Sequence, residues 1–164
     1  YNLMKQILKN YFKLKNFEKL IILFGILGLL PFIIGLIDLY YNFPILLFEI
    51  NIPKNYGVII FTFLGSIYWG IIIQSKKRDG FSNKFKFFTI IWSITPAIFG
   101  IIILTINQSF SIIILTVGFA ISQIIDEFYN DILSFPKWYI IFRRILSSIV
   151  IIILIFSYLI ITKI

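Results

Sequence analysis

Apolar residues run along this chain in blocks close to the ~20 residues that an α-helix needs to cross about 30 Å of hydrocarbon. Short clusters of Lys, Arg, Asn and Pro separate the blocks. The pattern predicts five helices, at 20–39, 56–75, 87–106, 110–125 and 145–162. Lys19 and Asp38 flank the first, as polar residues that reach an interface do. From Phe87 to Ile125 no charge appears, and only Asn107-Gln108-Ser109 interrupts the apolar run. A single helix of that length overshoots a bilayer, so the chain is expected to turn at Asn107. Between the first two helices, "YNFPILLFEINIPKN" is too broken to cross and reads as a loop or re-entrant turn. The first 19 residues place Leu3, Ile7, Leu14 and Phe17 on one side with lysines beside them, the pattern of an amphipathic helix lying on a membrane surface. A cleavable transit peptide is the competing reading, but the arm lacks the Arg and Ser that such peptides carry. The predicted fold is all-α: a polytopic transmembrane bundle of five helices at 20–164, preceded by an amphipathic surface helix at 1–19.

Composition agrees with the pattern. Of 164 residues, 60% are hydrophobic and 13% charged, against about 25% charged in a soluble domain. The richness in Ile, Phe, Lys, Asn and Tyr is what an AT-rich genome produces, so position carries more information than counts. The chain has no Cys and no His. That removes disulfides, iron–sulfur ligation, His-ligated haem, the common zinc sets, His bases and Cys nucleophiles. No phosphate loop, nucleophile elbow or metal motif is present either, so no enzyme and no cofactor are expected.

Charge sets the expected orientation. Five spans put the N-terminal arm, the 76–86 loop and the 126–144 loop on one side. That side then holds Lys5, Lys9, Lys13, Lys15, Lys19, Lys76, Lys77, Arg78, Lys84, Lys86, Lys137, Arg143 and Arg144, thirteen of the fifteen basic residues. Only Lys54 and Lys163 fall opposite. The positive-inside rule places the N-terminus in a matrix or cytoplasm. Orientation accounts for the positive charge, so nucleic acid is not an expected partner. Lys76, Lys77, Arg78, Arg143 and Arg144 would share one head-group layer, where a basic pocket can hold cardiolipin or another anionic lipid.

Within the five predicted spans the sole ionisable residue is Asp38, at a span end. Buried charges mark proton relays and ion pathways, and their lack argues against a pump. Asp126, Glu127 and Asp131 are positioned to pair with Lys137, Arg143 and Arg144, and are expected in a wet, charge-balanced turn. Trp138 and Tyr139 fall where an aromatic belt should lie. Pro31 and Pro96 read as kinks suited to close packing. Small residues recur four apart at Ser66 and Gly70, Ser93 and Ala97, and Gly118 and Ser122, a spacing that lets helix backbones approach closely. In the second span Gly57, Phe61, Gly65 and Trp69 form a stripe. With Ser66 and Gly70 they are the candidate surface for a neighbouring helix, either this chain's own or a partner's. Tyr68 and Trp69 are expected at the interface on the basic side.

Three stretches, "LGLLPFIIGL", "YGVIIFTFLGSIYWGIII" and "FPKWYIIFRRILSSIV", together resemble a small family of membrane proteins of unknown function that includes mitochondrial transmembrane protein 69. Its pattern is an LG-x-x-P-F first helix, a YG…FLG-x-x-x-WG second helix and a P-x-W-Y-x-x-LR approach to the last. The resemblance runs from Leu27 to Val150. Two residues depart from it: Tyr68, where the family carries a basic residue or His, and Phe142 in place of Leu. The resemblance implies a mitochondrial inner membrane or a bacterial plasma membrane, which the charge distribution completes with an N-terminus in the matrix or in the cytoplasm. It implies no activity. The expected function is a non-catalytic accessory subunit of a mitochondrial inner-membrane complex, respiratory in kind, with other subunits and membrane lipids as partners. The alternative is a small transporter or channel.

Overall fold

A computed structural model describes residues 15–41, 52–74 and 81–163, and these form six helices. They are α1 (Asn16–Leu27), α2 (Leu30–Tyr41), α3 (Ile52–Gln74), α4 (Asn83–Thr105), α5 (Gln108–Leu133) and α6 (Lys137–Lys163). Helices α1 and α2 together make one apolar segment, Asn16–Tyr41, so five segments are long and apolar enough to cross a membrane. The protein is an all-helical membrane protein, as its pattern predicts. The surface helix expected at 1–19 lies mostly outside the described residues. Its last residues, from Asn16 on, are the first turn of α1, where the Glu18 carboxylate accepts from the Lys15 backbone N–H at 2.8 Å.

Local chemistry fixes the breaks between helices. Pro31 lacks the N–H that would bond the carbonyl four residues back, and the helix is interrupted at Gly28–Leu29. A bared carbonyl in hydrocarbon needs a donor. The Tyr56 hydroxyl on α3 supplies one to the Gly28 carbonyl at 3.0 Å. The chain turns again at Ile106–Asn107, where Asn107 Oδ1 accepts from the Phe110 N–H at 3.0 Å and caps α5. Ser134 ends α5 in the left-handed conformation (φ 54°), Pro136 follows, and α6 starts at Lys137.

Helices α2, α3, α5 and α6 close a ring around the core, and α4 lies along α3. Phe32, Phe61 and Phe119 meet at the centre, with Phe119 6.3 Å from Phe32 and 6.0 Å from Phe61 between ring centroids. Small residues allow these crossings. A Cβ on Gly65 would sit 2.6 Å from the Pro96 ring of α4, and one on Gly118 would sit 2.9 Å from the Phe61 ring. Pro96 thus serves as a packing surface inside an unbroken α4. Helix α1 packs least and buries none of its residues. It rests on α6 where Gly25 meets Phe142, which leaves a cleft beside α3.

Contacts identify the two ends of the bundle. At one end Lys54 Nζ donates to the carbonyls of Leu104 and Ile106, at 3.3 and 3.2 Å, and so covers the exposed C-terminus of α4. At the other end lie the end of α3, the start of α4, the end of α5 and the start of α6, with Lys84, Lys86, Lys137 and Arg144.

Candidate functional site: a buried charge cluster

Helix α5 carries a stripe at spacings of three and four: Ser111, Leu115, Gly118, Ser122, Asp126 and Tyr129, all buried. Helix α6 carries its own: Ile140, Arg143, Ser147 and Val150. The three-residue turn at 134–136 folds one stripe against the other and brings Asp126 to Arg143. Both are 8% exposed. Arg143 Nε donates to Asp126 Oδ2 at 2.7 Å, and Nη1 donates to Ser147 Oγ at 3.1 Å, one turn further along α6. The Tyr68 hydroxyl of α3 donates to Asp126 Oδ1. One carboxylate therefore ties three helices together.

Burial makes this cluster unusual. Asp126 lies seven residues inside the end of α5 at Leu133, and Arg143 and Tyr68 lie six residues inside Lys137 and Gln74. At helical rise these are distances of about 9–10.5 Å from the helix ends. Charges taken out of water are costly unless paired. Here each ion finds its opposite, and the carboxylate uses both oxygens. Around the cluster, Tyr129 stacks 4.4 Å from the Tyr68 ring and places its hydroxyl 2.6 Å from Thr89 Oγ1 on α4. The Thr89 hydroxyl itself donates to the Phe85 carbonyl at 2.8 Å, so it accepts from Tyr129. A pocket of about 10 Å³ lies between Tyr68, Asp126, Tyr139 and Arg143, the size of a single water.

A second pair sits one residue along each helix. Arg144 Nε and Nη2 donate to Glu127 Oε1 and Oε2 at 2.5 and 2.6 Å, a two-pronged contact, and Gln123 Nε2 also donates to Oε1 at 2.9 Å. Adjacent helical residues point about 100° apart. The Asp126–Arg143 pair accordingly turns inward, while Arg144 is more than half exposed.

These positions change the expected picture. Asp126 and Arg143 stand inside transmembrane helices and not in a wet turn, because α5 runs eight residues past Ile125 and α6 starts at Lys137. The carboxylate–arginine pairing itself is as the sequence suggested. Tyr68 is 3% exposed and bonded to Asp126, so it does not belong to an interfacial ring, whereas Trp69 beside it is 50% exposed. Of the candidate stripe, Gly57, Phe61 and Gly65 face inward, and Ser66, Trp69 and Gly70 face outward. Four-residue steps advance about 40° each around a helix. The buried face therefore passes from Gly65 to Tyr68 and Ile72, and Trp69 is carried out of it. Arg143 is turned into the bundle and Arg144 outward, and Lys76, Lys77 and Arg78 lie outside the described residues. Among the described residues no three Asp or Glu gather as a metal ion would need.

A bundle of five apolar helices, each long enough to cross a membrane, around a buried ion pair defines a polytopic α-helical membrane protein. The chain belongs to the family described as "Protein of unknown function (DUF3429)", whose model matches residues 17–159. No curated protein and no solved structure matches it.

Proposed function

We propose that the chain is a non-catalytic accessory subunit of a membrane complex, a helical scaffold against which partner helices pack. The observation that carries this is the closed state of its charge cluster. Both oxygens of Asp126 and two nitrogens of Arg143 are engaged in tying α3, α5 and α6 together. The pair acts as a clamp, and each carboxylate oxygen of Asp126 already holds a donor from the bundle itself. Outside the clamp, α3 turns Ser66, Trp69 and Gly70 away from the bundle, and a Cβ at Gly70 would meet nothing within 4 Å. A partner helix can approach closely there. Arg144, Lys84 and Lys137, exposed at the same end, suit contact with the phosphates of anionic lipids such as cardiolipin.

The membrane we assign is the mitochondrial inner membrane, and the complex a respiratory one, supported by the resemblance to mitochondrial transmembrane protein 69. The excess of basic residues at one end supports an N-terminus in the matrix. A bacterial plasma membrane with a cytoplasmic N-terminus is the other setting the resemblance supports. Solubilisation of the native membrane in mild detergent, followed by native electrophoresis, tests the assignment. The chain is expected to migrate with a large assembly, and migration alone as a monomer overturns it.

One observation favours a second reading, a small transporter or channel: a charge pair does lie within the membrane-spanning helices. Reconstituted vesicles decide between the two. Ion or proton flux above that of empty vesicles supports transport, and its absence removes it.

A further inference from the structure

The clamp leaves one group over. Arg143 Nε donates to Asp126 and Nη1 to Ser147. Nη2 is enclosed and has no hydrogen-bond partner among the described residues. A buried donor without an acceptor is costly. A guanidinium is planar and donates in a fixed fork, in which Nε and Nη2 share one edge. Arg144 displays that edge next door, where its Nε and Nη2 meet the two oxygens of Glu127. In Arg143 the same edge faces Asp126, so Nη2 aims one proton to the side on which the carboxylate lies. Nη1 points the other way, along α6 to Ser147.

Two spaces adjoin Arg143, and their walls tell them apart. Among the described residues, the cleft beside α1 has Arg143 and Ser147 in its wall but neither Asp126 nor Tyr68. The small pocket has Tyr68, Asp126, Tyr139 and Arg143 but not Ser147. It therefore lies on the Asp126 side of the guanidinium, the side of the Nε–Nη2 edge. Its volume of about 10 Å³ admits one water and nothing larger. The ion pair at 2.7 Å already balances its own charge, so a neutral occupant fits where an ion would not. Partners are at hand. Each carboxylate oxygen offers two lone pairs, and Tyr68 and Arg143 Nε take one on each. Tyr139 stands one turn before Arg143 on α6, in the same wall, with a hydroxyl that can donate and accept. A buried water makes about three hydrogen bonds.

We propose that this pocket is a binding site for one water, which accepts from Arg143 Nη2, donates to the Asp126 carboxylate and bonds the Tyr139 hydroxyl. The water makes Tyr139 a fourth arm of the clamp. The site belongs to the chain itself and does not depend on any partner subunit.

Crystals of the full chain grown in a lipid mesophase, ordered well enough to show water, are expected to reveal one water within hydrogen-bond distance of Arg143 Nη2 and an Asp126 oxygen. A pocket without density, a larger group in it, or Nη2 bonded to a protein group overturns the proposal. Stability gives an independent reading. Tyr139→Phe removes only the hydroxyl and is expected to shift the unfolding equilibrium roughly fivefold to tenfold towards the unfolded chain. In a protein carrying Asp126→Leu and Arg143→Met, which take away the other partners of the water, the same change is expected to have no effect. No effect of Tyr139→Phe in the unaltered protein overturns the proposal, as does an equal effect in both proteins.

Discussion

At the scale of residues, the clamp makes unequal demands on its members. Asp126→Asn leaves Arg143 buried without a counter-ion, which costs about 3–5 kcal/mol. Replacing both, Asp126→Leu with Arg143→Met, removes the two charges together and is expected to cost far less than the sum of the single changes. Unfolding of the three variants by denaturing detergent measures this, and additive losses would show that the residues are not coupled. Tyr68→Phe keeps the ring against Tyr129 and drops only the bond to Asp126, an expected loss of about 1.5–3 kcal/mol. Tyr68 shows what single residues disclose in sequence. Its amphipathic ring and place near a span end suggested the interface, but its hydroxyl is held by a carboxylate 58 residues away. Nothing local to α3 signals that partner.

At the scale of elements, the five apolar blocks were plain in the sequence because hydrocarbon tolerates little else. The turn at Asn107 was plain too, since one helix could not be so long. The helix ends are hidden for one reason: the first charge after an apolar run marks its end only when nothing neutralises that charge. Asp126 and Arg143 cancel each other, so neither marks an exit, and cancellation between two helices does not show in the pattern of one. A signal did exist in α5, whose buried spacing of three and four continues through Asp126 to Tyr129. Helix α3 offers a direct test of which face is used within the bundle. Gly65→Ala pushes a methyl into Pro96 and is expected to cost about 1–3 kcal/mol. Gly70→Ala meets nothing and is expected to change stability by less than about 0.5 kcal/mol. Melting temperatures of the purified protein in one detergent compare them. Equal shifts would mean that α3 and α4 do not approach as closely as described.

At the scale of the whole molecule, five crossings put Lys84 and Lys163 on opposite sides of the membrane. Because the chain has no Cys, one reporter can be introduced at a time. Lys84→Cys and Lys163→Cys are expected to react with a membrane-impermeant thiol reagent from opposite sides in sealed vesicles. Labelling of both from one side would rule out three crossings between them.

The two adjacent ion pairs joining α5 and α6 also bear on how the chain reaches its membrane. Each carboxylate of Asp126 and Glu127 meets an arginine 17 residues later, across a turn of three residues. Inserted alone, α5 would carry both negative charges into lipid with nothing to balance them. Folded back on α6, both carboxylates are paired before the hairpin leaves water. Biogenesis should therefore deliver these helices as a couple. A chain ended after Leu133 is expected to insert its last helix poorly, and extending it through Lys163 should restore insertion. Glycosylation or protease protection during synthesis in vitro would record the difference. The clamp that steadies the finished bundle would then also set the order of its assembly.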